Sequence, residues 1–130
     1  MIAEDRLYTA EHEWLLKLPD EVTYRVGITH FAQDSLGDVV HVSLPEPGAE
    51  VTAGEPLGEI ESTKTWSEIY APVTGVVAAR NDSLTGSPDL INSDPYGAGW
   101  LVEITISAAG TEPAANLLDP DAYRLLTEGS

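Results

Sequence analysis

Lysine is scarce in this sequence of 130 residues, where only Lys17 and Lys64 carry side-chain amines. Lys64 lies in a short polar segment, Ser62-Thr63-Lys64-Thr65, with Ile60 on one side and Ile69 on the other. An amine so placed has two chemistries open to it. It can act directly, as a Schiff-base former or general base, which requires burial or a neighbouring cation. Glu59, Glu61 and Glu68 give it the opposite company and favour the ammonium form, so direct catalysis is disfavoured. It can instead be modified covalently and serve as a handle. The plain reading, a solvated charge on an exposed turn, stands beside both.

Other reactive groupings are sparse. There is no cysteine, which excludes a disulfide, a thiolate metal site and a cysteine nucleophile, and any redox chemistry must be imported on a cofactor. His12, His30 and His41 lack close metal-ligand spacing, so no metal site is expected. Gly97-Ala98-Gly99 lacks the third glycine and the strand-to-helix setting of a dinucleotide loop. There is no Gly-x-Ser-x-Gly elbow. Trp66, two places after Lys64, could pack on a carried group, contact a partner or cover strand surface.

The elements that position Lys64 are short strands. Glu13 to Leu18 alternates, with Trp14, Leu16 and Leu18 on one face, and after a turn at Pro19-Asp20-Glu21 the alternation returns in Val22, Tyr24, Val26 and Ile28. Thr29 can cap a short helix from His30 to Leu36, with Gly37 at the left-handed position past its end. Val40, Val42 and Leu44 make a third strand, with His41 and Ser43 on its other face. Glycine and proline then punctuate Val51, Leu57, Ile60, Ile69, Val73, Val76 and Val77, with a turn near Thr74-Gly75.

Asn81 to Gly99 reads as a long ordered loop with one helical turn, anchored by Leu90-Ile91. Trp100, Val102, Ile104 and Ile106 restore the strand period. Asp119 as N-cap, Pro120 at the first helical position and a Leu118–Tyr123 staple start a C-terminal helix. The whole, residues 1–130, predicts one small β sandwich or barrel domain, with residues 127–130 expected to fray.

Six basic against 22 acidic residues give a formal net charge of −16. Phosphate contacts need cations, so nucleic acid and anionic membrane surfaces are poor partners. The scattered acids fit either a self-repelling soluble surface or docking onto basic proteins. No apolar run approaches membrane-spanning length, and the acidic start Met1-Ile2-Ala3-Glu4-Asp5 is unlike a signal or transit peptide, so a cytoplasmic location is expected.

The run Gly58-Glu59-Ile60-Glu61-Ser62-Thr63-Lys64, followed by Ser67 to Gly75, resembles the lipoyl-attachment hairpin. His12-Glu13-Trp14, Gly27-Ile28-Thr29 with Ala32-Gln33 and Leu36-Gly37-Asp38, and Asn92 to Gly97 with Gly99-Trp100-Leu101 narrow the likeness. In that order they resemble the H-protein family of the glycine cleavage system, from about Tyr8 to Tyr123. Biotin carriers flank their lysine with methionines; here Thr63 and Thr65 stand there, which disfavours biotin.

The resemblance implies a mainly β barrel-sandwich hybrid, lipoyl-domain-like, with a short helix in the N-terminal half and another at the C-terminus. It implies a non-catalytic carrier with lipoate joined by an amide at Lys64, on an arm of about 14 Å counted from some eleven bonds. The implied partners are glycine decarboxylase with its pyridoxal phosphate, the aminomethyltransferase that passes the one-carbon unit to tetrahydrofolate, and dihydrolipoyl dehydrogenase. A lipoyl or octanoyl transferase, or a lipoate ligase, would recognise the hairpin, with Glu61 and Gly75 at the matching positions. Gly75 also reads as a simple turn glycine. Glu13 and Glu68 are implied to line a cleft that shelters the loaded arm and to hold its cationic amine; the plain alternative is two solvated strand carboxylates. The molecule is expected to act as a monomer. A lipoyl relay, a lipoyl domain of a 2-oxoacid dehydrogenase complex, and an enzyme using Lys64 as a free amine are the alternatives.

Overall fold

The hairpin carrying Lys64 consists of strand β6, Pro56–Ser62, paired antiparallel with β7, Trp66–Tyr70, which leaves Thr63, Lys64 and Thr65 for the turn. Ser62 closes that turn. Its Oγ accepts the N–H groups of Lys64 and Thr65 at 3.3 and 3.1 Å and donates to the Thr65 carbonyl at 3.0 Å. These bonds satisfy polar groups that a turn would otherwise leave to water. In this computed structural model residues 5–20, 22–106 and 117–128 are described; expectations touching residues 1–4, Glu21 and residues 129–130 lie outside them.

On the other side of β6 runs β4, Val39–Ser43, giving a three-stranded sheet ordered β4-β6-β7 with β7 at a free edge. The facing sheet holds β1 (Leu7–Tyr8), β2 (Glu13–Lys17), β3 (Thr23–Ile28), β5 (Glu50–Val51), β8 (Gly75–Arg80) and β9 (Val102–Ile106), ordered β1-β2-β3-β9-β8-β5. Within both sheets, neighbouring strands among the described residues pair antiparallel. Between the sheets Leu15, Val26, Ile60, Ile69, Val73 and Ile104 are each at most 2% exposed. Burying one such side chain contributes about 1.5–3 kcal/mol.

Helix α1, His30–Leu36, has the ends expected of it. Thr29 Oγ1 accepts the Ala32 N–H at 3.2 Å, and Gly37, at φ +83°, donates its N–H to the Gln33 carbonyl. Helix α4, Pro120–Glu128, likewise begins with Asp119 Oδ1 accepting the Ala122 N–H at 2.8 Å. Tyr123 and Leu118 pack with Tyr8 and Trp14 in a second apolar cluster.

That cluster corrects the one-sided picture of β2. Trp14 and Leu15 point to opposite faces, yet both are fully buried, because α4 and the segment around Tyr96 cover the face that Leu15 does not use. In β4 a bulge between Val39 and His41 breaks the period. Val39 becomes the core residue, Val40 is half exposed, and Val42 and Leu44 pack at the core margin. Val22 and Val76 are also exposed. The loop from Asn81 to Gly99 holds two helical turns, not one: α2, Ser83–Gly86, and α3, Leu90–Ser93. Leu84 anchors the first and Ile91 the second.

Candidate functional site

Lys64 is exposed at the turn, and its stem folds back over Gly37, the residue that ends α1. A Cβ placed on Gly37 would lie 3.3 Å from Lys64 Cε and 3.9 Å from Nζ. The Thr63 N–H donates to the Asp38 carbonyl at 3.0 Å, which ties the turn to the same segment. Asn92 of α3 fixes that segment in turn. Its Nδ2 donates to the Gly37 carbonyl at 2.8 Å and to Gln33 Oε1 at 3.1 Å, while its Oδ1 accepts the Val39 N–H at 2.9 Å. The amine is therefore presented from a bonded platform. Among the described residues it forms no ion pair. Glu59 and Glu61 instead line a polar groove on the outer face of the small sheet, with His41, Ser43 and Trp66.

A cleft of about 320 Å³ separates α1 from the free edge of β7. Phe31, Ala32, Ser35 and Leu36 line it from the helix, Thr65 to Ile69 from the strand, and Glu11, His12 and Glu13 at the end farther from Lys64. Its direction follows from the helix. The C-terminal turn of α1 sits at Lys64, while Phe31 near the N-terminus stacks on His12, ring centroids 4.4 Å apart. Seven helical residues span about 10 Å.

Glu13 and Glu68 both line this cleft. Glu13 is only 3% exposed. Its Oε2 accepts the Tyr70 N–H at 2.7 Å, and its Oε1 lies 3.5 Å from the Thr9 hydroxyl. Burial pushes the Glu13 carboxyl up to about 8; the Tyr70 N–H opposes this, the Glu11 charge adds to it, and the Thr9 hydroxyl lowers it slightly. The site thus holds a carboxyl near its charging point, ready to ionise when a cation comes within reach. Glu68 is half-buried beside it on the edge strand.

Glu61 and Gly75 are not brought together. Glu61 faces Trp66 in register on the small sheet, whereas Gly75 opens β8 in the large sheet, paired with Val51 and Ile106. The turn reading of Gly75 gives way here. A Cβ at that position would stand 2.1 Å from the Thr105 carbonyl oxygen, so glycine is required by backbone approach within a strand.

The platform under Lys64 and the linkage of His12, Tyr123 and Thr29 went unread in the sequence. His12 has φ +67°, and its Nδ1 meets the Tyr123 hydroxyl at 2.7 Å. That hydroxyl is also 2.7 Å from Thr29 Oγ1, so one phenol links α4 to the cleft and to the cap of α1. Burial lowers the His12 imidazole below its usual value, opposed by the Glu11 charge, and raises the Tyr123 phenol to about 12. The signal that was available is the helical spacing of Phe31, Ala32, Ser35 and Leu36, which puts them on one face of α1. Among the described residues there is no group of three or more acids and histidines placed to hold a metal, and no helix is long and apolar enough to cross a membrane.

Two antiparallel sheets packed face to face, with a lysine at the turn of a hairpin in the smaller one, define a barrel-sandwich hybrid of the lipoyl-carrier type. The family model for the glycine cleavage H-protein matches residues 6–129. The chain belongs to that family. It is 60% identical to the glycine cleavage system H protein of Mycobacterium avium (strain 104), over 98% of both chains. It is 55% identical to that of Mycobacterium leprae (strain Br4923), over 95% of this chain and 94% of the other. The crystal structure of a glycine cleavage system H protein from Mycobacterium marinum superposes with a TM-score of 0.85 at 43% identity, covering 99% of this chain and 100% of that one.

Proposed function

We propose that the chain is the lipoyl carrier of a glycine cleavage system, with the lipoyl group joined as an amide to Lys64. The observation that carries this reading is the placement of an exposed amine at the mouth of a cleft with apolar walls and a buried carboxyl at its inner end. Those residues fit the group: Phe31, Leu36 and Ile69 match an alkyl arm, and Glu13 with Glu68 matches a cationic load. When attached, the lipoyl dithiolane supplies the sulfur that takes up the aminomethyl group of glycine.

The chain's own residues position and protect. Ser62 and the Thr63–Asp38 bond hold the turn; Gly37 leaves room for the lysine stem; Glu13 and Glu68 hold an ammonium away from bulk water. No group on the chain is needed as a catalyst, and residues 1–130 work as one monomeric carrier domain. In this reading Glu61 and Gly75 serve recognition by a lipoyl or octanoyl transferase or a lipoate ligase. The loading partner is glycine decarboxylase; the aminomethyltransferase and dihydrolipoyl dehydrogenase follow.

The test is to incubate the lipoylated chain with glycine decarboxylase and glycine labelled at its α-carbon, the carbon kept when the carboxyl group leaves as carbon dioxide. Protein-bound label is expected in the lipoylated chain and none in Lys64→Arg. A lipoylated chain that takes up no label, yet restores lipoate to a 2-oxoacid dehydrogenase, would overturn the glycine cleavage role in favour of a relay.

A further inference from the structure

Trp66 keeps 60% of its surface exposed on β7, two residues from Lys64. Its neighbours do not account for so large an apolar group there. Across the sheet it is in register with Glu61, and it lines both the cleft and the polar groove of His41, Glu59 and Glu61. Exposed indole surface is unfavourable in water, and strand pairing at an edge makes no demand for it.

The mouth of the cleft shows what the indole could meet. Leu36 and Gly37 form its helix side, and the stem of Lys64 lies over Gly37. On the strand side the mouth is lined by Thr65 and Trp66, while Ile60 and Ile69 lie deeper, 1% and 2% exposed. A chain attached at Nζ and laid in the cleft would pass between Leu36 and Trp66, which line it on the two sides. Trp66 is the broad apolar surface on the strand side of that passage, and it also walls the passage off from the polar groove.

We propose that Trp66 is a wall of the arm site: its indole closes over the alkyl portion of the lipoyl arm at the mouth of the cleft and keeps water from the load held farther in. This rests on the assignment of the cleft to the arm, and it adds the residue that seals it. The polar groove then stays outside the carried group's path.

The test compares the native chain, Trp66→Ala, Trp66→Phe and Glu13→Gln, each lipoylated, loaded by glycine decarboxylase and freed of that enzyme. Two readouts are taken: hydrolytic release of ammonia and formaldehyde from the load, and acrylamide quenching of indole fluorescence before and after loading. Of the three tryptophans Trp14 is fully buried and Trp100 half-buried, so Trp66, 60% exposed, contributes most of the accessible signal. Loading is expected to shield the indole in the native chain, with that change absent in Trp66→Phe. Ammonia release from Trp66→Ala is expected to rise ~5-fold, the size of one lost aromatic contact, with Trp66→Phe close to native. Faster release in Glu13→Gln with native release in Trp66→Ala would overturn the role of Trp66 and leave the cleft assignment standing. Native release in both would overturn the cleft assignment as well. Unchanged quenching and release with a raised KM for the decarboxylase would assign the indole to partner contact and overturn the proposal.

Discussion

Glu13 on β2 and Tyr70 on β7 meet at 2.7 Å, carboxylate oxygen to backbone N–H, and so join the edge of the small sheet to the large one. The contact caps the inner end of the cleft with an almost fully buried acid, the group that the proposed function assigns to a cationic load.

The first prediction follows from the Glu13 carboxyl, raised from 4.5 to about 8 by burial. Between those values the folded chain holds a proton that the unfolded chain has released. Stability relative to Glu13→Gln therefore falls as pH rises from about 5 through about 8, and the deficit is complete above that. Urea unfolding at pH 5 and pH 9 should show the native chain losing at least ~2 kcal/mol against the glutamine variant. A difference that does not change with pH would contradict the assigned charging point.

Local rules made much of this chain legible. Thr29, Gly37, Asp119 and Pro120 each act within one turn of backbone, so both main helices could be placed from their caps. The Lys64 hairpin is likewise a matter of two apolar periods and a polar turn. What stayed hidden depends on contacts distant in sequence. Trp14 and Leu15 are both buried because two separate segments cover β2, and Val40 is turned out by a bulge that no residue type announces. Glu13 could be named through the motif around it, but its burial and its bond to Tyr70 come from a residue 57 places away.

Gly37 combines φ +83° and ψ −159° with the Lys64 stem passing over it. Gly37→Ala is expected to cost about 1–3 kcal/mol, since that backbone region is nearly closed to other residues. Thermal unfolding checks it, and an unchanged midpoint would contradict it.

Gly75→Ala separates packing from recognition. With a Cβ 2.1 Å from the Thr105 carbonyl, the variant should lose about 2–4 kcal/mol through displacement of β9 from β8. Chemical unfolding and the lipoylation rate should be measured on the same preparation. A fall in lipoylation without loss of stability would show that the glycine is read by the modifying enzyme and not demanded by the sheet.

Tyr123→Phe removes the hydroxyl shared by His12 and Thr29 while keeping the ring stacked on Tyr8, centroids 4.6 Å apart. A loss of about 1–2 kcal/mol is expected, the cost of unpairing part-buried polar groups. Urea unfolding measures it, and native stability would mean that water replaces the phenol.

The central claim is that Lys64 is the attachment point, and the chain's two lysines make it directly testable. After co-expression with a lipoylating enzyme, intact mass and peptide mapping should find one lipoyl group on Lys64. Lys17→Arg should be modified as fully as the native chain, and Lys64→Arg not at all. A Lys64 that stays free under conditions that modify a known carrier, or a lipoyl group found on Lys17, would contradict the account.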